Sequence, residues 1–303
     1  MSELINKNQI QKEFESIQDS ICNALEISDG KGRFEEDLWK RAGGGGGKTR
    51  IIQGEIIEKG GVNFSAVHGK LPERIGIALK LPLGSDFFAT GVSIVLHPHN
   101  PHVPIIHMNV RYFEITPEGA SEPSKWWFGG GIDLTPHYII EKDASFFHGE
   151  LKKVCDQFDP EYYPKFKEWA DNYFFLPHRN ETRGIGGIFF DHLNDRPKDE
   201  IFEFVKSVGY SFAPIYTALM KRNANNDFSE KEKDWQLHRR GRYVEFNLVW
   251  DKGTKFGLDT NGRTESILMS LPATAKWTYN YHIEKHSPEE KTINLLKKGI
   301  DWV

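Results

Sequence analysis

The sequence predicts an α+β fold in which a large antiparallel β-sheet is flanked on both faces by α-helices. From Thr49 onward, several runs alternate apolar and polar residues with a period of two, which is typical of strands with one buried face. Short turns join these runs, and helical spacing is found before and after them. No linker or repeat divides the 303 residues, so we expect a single domain over residues 1–303.

The first elements are one helix and a series of strands. Apolar residues spaced by three or four positions predict an amphipathic helix over residues 8–26. "TRIIQGEIIEKGGVNFSAVHG" predicts a hairpin, and "FFATGVSIVLH" with "IIHMNVRYFEI" predicts a second strand pair joined by a Pro-rich loop. "KWWFGGGIDL" predicts a further strand with glycines at its centre.

The second half returns to helical spacing. Two helices are predicted around Phe147 to Phe158 and Tyr162 to Tyr173, and a third over residues 198–222. "RYVEFNLVW", the turn "DKGTK" and "KFGLD" predict another hairpin. Ser287 followed by Pro-Glu-Glu is a helix-start signal, so we expect a short final helix.

Composition excludes several classes of partner. The net charge of −4, without a long block of one sign, argues against nucleic-acid binding. No window approaches the roughly 18 consecutive apolar residues of a membrane span. Cys22 and Cys155 are too far apart to indicate a disulfide framework or a thiolate metal cluster, and the N-terminal stretch is unlike a targeting signal. We expect a soluble cytoplasmic protein whose 13% aromatic content could enclose a large flat ligand.

The glycine run "AGGGGGKT" matches the loose phosphate-loop pattern. Such a loop follows a buried strand and opens a helix, whereas here a charged stretch precedes it and strand alternation follows. ATP binding is therefore not expected. The run is either a flexible loop or a flap that closes over an anionic ligand with Lys48 and Arg50.

Polar side chains collect on one face of the second strand pair. Alternation places Ser93 and His97 on one face of the first strand, and His107, Asn109 and Arg111 on one face of the second. If the strands pair, these five residues share one surface.

The histidines allow two interpretations. A metal site would use His97 and His107, with His148 and His178 from helical segments. No HExxH motif or carboxylate pair at metal spacing accompanies them, so a hydrogen-bonded role in a pocket or core is favoured for each.

"FGGGIDLTP" places Asp133 just after three glycines, which would let the flat face of a ligand approach the backbone. Asp133 is equally well explained as a turn or cap residue. Arg179, Arg183 and Arg263 are each typical of a solvated surface when considered alone. With Arg111 they would form a set of carboxylate clamps.

The chain resembles the oxygen-dependent coproporphyrinogen III oxidase family almost from end to end. The resemblance rests on long motifs that include "GVNFSAVHG", "HPHNPHVP", "WWFGGGIDLTP", "HRNETRGIGGIFFDHL" and "GRTESILMSLP". It implies oxidative decarboxylation of two propionates of coproporphyrinogen III to vinyl groups, giving protoporphyrinogen IX and CO2. It also implies O2 as oxidant, no organic cofactor, and a homodimer formed through about Tyr243 to Thr278.

The resemblance also implies roles for individual residues. His107 corresponds to a proposed proton donor, and Asp133 to an acid that contacts the pyrrole nitrogens. The same four histidines, His97, His107, His148 and His178, correspond to a proposed divalent-metal set. The expected substrate contacts are Ser93, Asn109, Val110, Arg111, Asn261, Gly262 and Arg263.

Two of these roles have a physical rationale. Burial of Asp133 would favour proton acceptance at neutral pH, which suits a general base, and Arg111 is expected to orient a carboxylate more than to neutralise it. Asn261 stands where the family often has glycine.

Two other classes of function share these features. A tetrapyrrole carrier would have the same pocket without turnover, and release of CO2 under air but not under nitrogen would separate it from the enzyme. A histidine-ligated metal oxidase would be identified by metal analysis of active protein.

Overall fold

Within the described ranges, the main sheet has seven strands, each antiparallel to its neighbours. The computed structural model describes residues 5–71, 76–77, 84–259 and 262–303. The sheet order is β1-β2-β3-β4-β5-β6-β9, and a separate two-stranded sheet contains β7 and β8. The strands are β1 (Arg33–Lys40), β2 (Gly45–Gln53), β3 (Ile57–Lys70), β4 (Asp86–Pro98), β5 (Ile105–Thr116), β6 (Lys125–Thr135), β7 (Phe175–Leu176), β8 (Glu181–Thr182) and β9 (Gly187–Leu193).

Eight helices are found in the described part of the chain. They are α1 (Lys7–Asp29), α2 (Glu141–Asp156), α3 (Tyr162–Tyr173), α4 (Lys198–Asn223), α5 (Glu230–Val249), α6 (Lys252–Asp259), α7 (Thr264–Leu268) and α8 (Pro288–Leu295). The α+β prediction is confirmed, as are the helices predicted at α1 to α4 and α8. None of the described helices is long and apolar enough to cross a bilayer.

One face of the sheet forms the core. In β5, Ile106, Met108 and Val110 are fully buried on this face, which packs against α1 and α4. The alternate residues His107, Asn109 and Arg111 are only half-buried, as the period of two predicts. The core extends from Ile10 to Trp302, which supports a single domain.

Among the residues that the structure describes, those on the opposite face cover it at one end only. Tyr243 of α5 packs edge-on against His97, with ring centroids 5.2 Å apart, and the Ser266 hydroxyl of α7 lies 2.8 Å from that of Thr49. Helices therefore flank both faces, but on this side Ser93, Asn109 and Arg111 stay partly exposed. We call this uncovered part the open face.

The hairpin predicted from "RYVEFNLVW" and "KFGLD" is wrong, because these segments form α5 and α6. The start of α5 carries a capping box, in which Ser229 accepts from the Glu232 amide and the Glu232 carboxylate accepts from the Ser229 amide. Its buried residues Trp235, Arg239 and Tyr243 are four positions apart. Tertiary burial on one helical side overrides the apolar alternation that suggested a strand.

Much of the glycine run is strand rather than loop. Residues 45–47 belong to β2, and the turn before them joins β2 to β1, a strand that sequence patterning did not predict. Gly45 has φ 80°, and a Cβ there would lie 2.2 Å from the Ala66 carbonyl oxygen. Glycine is required at this position because its φ is positive and the β2 backbone approaches that of β3 too closely for a side chain.

Asp29 ties the end of α1 to two neighbouring turns. Its carboxylate accepts hydrogen bonds from the amides of Gly32, Glu55, Ile56 and Ile57 at 2.7, 2.9, 2.9 and 2.9 Å. Burial opposes ionisation, but the hydrogen bonds outweigh it and lower the pKa of Asp29. One buried side chain therefore fixes the position of α1 relative to the β1–β2–β3 region.

We expect Asp29→Asn to lower the free energy of unfolding at pH 7 by about 2–3 kcal/mol, because an amide places N–H groups against backbone donors. The depressed pKa means that this stabilisation is complete above the unfolded-state value of about 3.9 and is lost as the pH falls through the folded-state value. Urea unfolding of both proteins between pH 7 and pH 3 would measure this difference. Asp86→Asn is the matched control, since Asp86 is exposed and pairs with Lys70; an equal loss in both variants would contradict the assignment.

Candidate active site

Strand register assembles the polar side chains of the open face. Ser93 lies opposite Asn109, Val95 opposite His107 and Gly91 opposite Arg111 in the β4–β5 pair. The predicted common surface is therefore confirmed for Ser93, His107, Asn109 and Arg111. His97 has the same parity but is buried below α5, where its Nε2 donates to the Ser270 carbonyl at 2.8 Å.

A buried cluster borders the open face at His107. The β5–β6 register places His107 opposite Asp133, whose Oδ1 lies 2.7 Å from His107 Nδ1. Arg183 Nη2 lies 2.7 Å from both Asp133 oxygens. The side chains of Arg183 and Asp133 are 3% and 2% exposed, whereas that of His107 is 23% exposed. His107 therefore connects a buried ion pair to the accessible surface.

The protonation pattern of this cluster follows from its charges. Burial alone would raise the pKa of Asp133, but the charge of Arg183 and the hydrogen bond from His107 lower it. An ionised carboxylate only accepts hydrogen bonds, so His107 Nδ1 carries the hydrogen and Nε2 is the nitrogen left to exchange a proton. The expectation that burial makes Asp133 a proton acceptor at neutral pH is wrong, since that reasoning omitted Arg183.

Three aromatic rings and an amide hold Arg183 in place. The guanidinium carbon lies 4.3, 4.9 and 4.7 Å from the ring centroids of Phe174, Tyr243 and Phe246. Its Nη1 donates to Asn247 at 2.9 Å. Arg183 is thus placed against Asp133, away from the open face where a substrate clamp would lie.

Two of the other three arginines, Arg111 and Arg263, reach the open face from its two sides. Arg111 donates from Nη1 to Asn109 at 2.8 Å and lies 2.9 Å from Asp191 through Nη2. Arg263 pairs with Asp37 and lies 3.3 Å from the Ser266 hydroxyl. Asp37 and Arg111 are four strands apart, roughly 19 Å across the sheet, so the two arginines could hold distant groups of one large ligand. Gly262 precedes Arg263, and Asn261 lies outside the described residues.

Two expected substrate contacts face elsewhere. The Val110 side chain is fully buried on the core face, so only its neighbours in β5 present side chains to the open face. Arg179 donates to Glu245 at 2.9 and 3.0 Å and lines a different cavity of about 890 Å³ with Arg239, Arg242 and Trp277. Burial opposes ionisation of Glu245, but hydrogen bonds from Arg179 and His178 hold its pKa at about 2.

The structure does not bring the four proposed metal-ligand histidines together. His148 is buried, with Nε2 donating to the Ile185 carbonyl and Nδ1 accepting from the Tyr163 hydroxyl, both at 3.0 Å. His178 donates to Glu245 and accepts from Trp250 at 3.1 Å. Among the described residues, no group of three or more His, Cys, Asp or Glu side chains could hold a metal. The residues do not fit the expected metal site, because each histidine serves a separate hydrogen-bonded position.

The glycines before Asp133 do not offer bare backbone to a ligand. Arg111 and Asp191 lie over Gly129, and Phe189 lies over Gly131. Sequence reasoning missed Asp191, Asn247 and Asp37. Alternation in "GIFFDHL" could have indicated a strand with Asp191 on one face, whereas nothing local identifies the other two.

Comparison with known proteins shows the family to which the chain belongs. The sequence model of the family described as coproporphyrinogen III oxidase matches residues 9–302. An oxygen-dependent coproporphyrinogen-III oxidase of Drosophila melanogaster is 51% identical over 297 residues, covering 95% of this chain and 76% of the relative. A chloroplastic oxygen-dependent coproporphyrinogen-III oxidase of Glycine max is 47% identical over 302 residues, covering 97% and 78%. This chain therefore belongs to the coproporphyrinogen III oxidase family.

Proposed function

We propose that this protein catalyses the oxygen-dependent oxidative decarboxylation of coproporphyrinogen III to protoporphyrinogen IX. The observation that carries the proposal is the partly exposed His107, which the buried Asp133–Arg183 pair holds beside an open face that presents Ser93, Asn109 and Arg111. An imidazole beside a hydroxyl, an amide and a guanidinium on one surface supports the proposal, because these groups suit proton exchange and carboxylate binding. Family membership supports the same reaction.

The open face matches a large, partly apolar substrate with several carboxylates. Phe87, Phe113 and Trp127 stack across β4, β5 and β6, with centroid separations of 6.0 and 4.6 Å. This half-buried aromatic row shares the sheet face of Arg111, because residues two apart on a strand point to the same side. Pyrrole rings would contact the aromatic row while propionates reach Arg111 and Arg263.

The reaction balances without an organic cofactor. Each of the two reacting propionate side chains loses CO2, one proton and two electrons as its terminal C–C bond breaks and the vinyl group forms. Two such steps supply the four electrons that, with protons from water, reduce one O2 to two waters. We propose that the electron-rich porphyrinogen itself delivers these electrons, and that His107 Nε2 exchanges the proton at the pyrrole nitrogen or the reacting side chain. Asp133 keeps His107 in the tautomer that this role requires.

We further propose that the protein acts in the cytoplasm. Both cysteines are free and buried, which is compatible with a reducing compartment.

The function is tested by incubating the protein with coproporphyrinogen III under air and under nitrogen, while measuring CO2 and the porphyrinogen product. We expect CO2 and protoporphyrinogen IX under air only, with activity retained after exhaustive chelation. Binding without CO2 release under air would identify a carrier. Loss of activity on chelation, reversed by a metal found in the native protein, would identify a metal oxidase.

We expect His107→Asn to lower kcat by about 10²- to 10⁴-fold with little change in thermal stability. The asparagine amide replaces Nδ1 as the donor to Asp133, but it supplies no group that exchanges protons. Asp133→Asn should instead destabilise the fold by about 3–5 kcal/mol, because it leaves the Arg183 charge buried without its partner. Steady-state kinetics and thermal unfolding of both variants distinguish these effects; near-wild-type turnover of His107→Asn would exclude His107 from the chemistry.

We also propose that the protein is a homodimer formed through about Tyr243 to Thr278. This segment exposes large apolar side chains that a monomer would leave in water: Leu248 is 46% exposed, Val249 49%, Trp250 41% and Trp277 60%. A two-fold interface would bury this surface on both copies.

We expect Leu248→Asp to shift the protein from dimer to monomer in sedimentation velocity at assay concentration, because a charge would be buried at the interface. Ile27→Asp is the matched control, since Ile27 is 73% exposed on α1 and lies outside the segment. A wild-type protein that is active and monomeric at that concentration would contradict the interface.

A further inference from the structure

The carboxylate of Asp191 forms an ion pair with the guanidinium of Arg111 on the open face. Arg111 Nη2 lies 2.9 Å from Asp191 Oδ1, and the two side chains are 35% and 28% exposed. The pair therefore differs from Asp133–Arg183, which is almost completely buried. An exposed pair contributes little stability and can exchange partners with a ligand at little cost.

An irregularity in β9 aims Asp191 at Arg111. Phe128 pairs with Leu193 and Gly130 with Phe190, so Asp191 and His192 together oppose the single residue Gly129. His192 has φ 49°, a left-handed conformation that is uncommon for residues other than glycine. Its amide donates to Asp191 Oδ1 at 2.9 Å. Such a bulge redirects side chains, and here it fixes the carboxylate on the open face.

Gly129 provides the space in which the pair lies. A Cβ at this position would be 2.7 Å from Arg111 Nε and 2.7 Å from Asp191 Oδ1. The Arg111 side chain can therefore cross β6 flat against the backbone and reach β9. The bulge, the left-handed residue and the glycine are three separate features of the chain that allow one contact.

We propose that Asp191 is a positioning residue that holds Arg111 flat on the sheet and competes with a substrate carboxylate for its guanidinium. The inference rests on the proposed function in that the competing carboxylate is a propionate of the substrate. A propionate that binds Arg111 must displace Asp191 or share the arginine with it, so its ground-state binding is weakened. The carboxylate group of a propionate leaves as neutral CO2. Weaker binding of the charged carboxylate to Arg111 in the ground state therefore lowers the activation free energy of that step.

The test is Asp191→Asn, which keeps the size of the side chain and an oxygen that can accept from the His192 amide. The probe is coproporphyrin III, the oxidised ring with the same four propionates, titrated under nitrogen while tryptophan fluorescence is measured. We expect its Kd to fall by about two- to fivefold, which corresponds to losing a competing exposed ion pair. In aerobic assays with coproporphyrinogen III we expect KM and kcat to fall together, the pattern of a lost ground-state destabilisation. A purely structural role would weaken binding, so a Kd that rises or stays unchanged overturns the proposal.

Three further variants complete the experiment. Asp159→Asn is the matched control, because Asp159 pairs with Arg196 beside Tyr162 in the helical layer, and its Kd should equal that of the wild type. In an Arg111→Ala background Asp191→Asn should have no effect on Kd, and an unchanged tightening there would overturn the link to Arg111. Asp191→Glu keeps the charge and should return Kd towards the wild-type value. If neither Asp191 variant folds, the residue is structural and the proposal fails.

Failure of the inference and failure of the proposed function give different results. Wild-type turnover under air with no tightening in Asp191→Asn refutes the inference alone. Tightening in Asp191→Asn without wild-type turnover refutes the proposed function and leaves the competition for Arg111 intact.

Discussion

The buried ion pair between Asp133 and Arg183 constrains the architecture around the site. A charge in the protein interior is tolerated only when it is paired and hydrogen-bonded, so both partners must be placed accurately. Asp133 is fixed by the pairing of β6 with β5, and Arg183 by Phe174, Tyr243, Phe246 and Asn247. The last three of these residues lie on α5. The position of α5 over one end of the sheet is therefore coupled to the ion pair, and through it to His107.

Each of the three arginines pairs with a carboxylate, and the pairs differ in how deeply they are buried. Arg183 is paired inside the protein, whereas Arg111 and Arg263 are paired with Asp191 and Asp37 at positions that solvent reaches. A ligand carboxylate can therefore compete for the two exposed arginines, while Arg183 stays with Asp133. The difference in burial separates Arg183, which organises the buried cluster, from Arg111 and Arg263, to which we assign substrate binding in our proposal. It also keeps the open face from carrying a large excess of positive charge before a ligand arrives.

The histidines show how one residue type serves different purposes. His107 is half-buried beside the ion pair, whereas His97 and His148 are buried with a carbonyl partner each, and burial lowers the pKa of both to about 3. His178 lies in a polar cluster with Glu245 and Trp250. Histidines that are close in the sequence, or that the resemblance groups as one ligand set, therefore do not form one cluster in space. His97 and His107 share a sheet face, but α5 buries His97, whereas His148 lies on α2 and His178 in the turn between β7 and β8.

The sequence by itself determined the fold class, most helices, the strand pair β4–β5 and the shared face of Ser93, His107, Asn109 and Arg111, because periodicity records which side of an element is buried. It also contained the motifs that carry the family resemblance. Only the tertiary structure decided that "RYVEFNLVW" is helical, that Val110 faces the core, that Arg183 neutralises Asp133 and that Asp191 meets Arg111. Asp133 and Arg183 are 50 residues apart, and Asp191 and Arg111 lie on different strands with β6 between them. Contacts of this kind depend on the packing of distant segments. Whether the pKa of a buried carboxylate is raised or lowered depends on which charges that packing brings close to it.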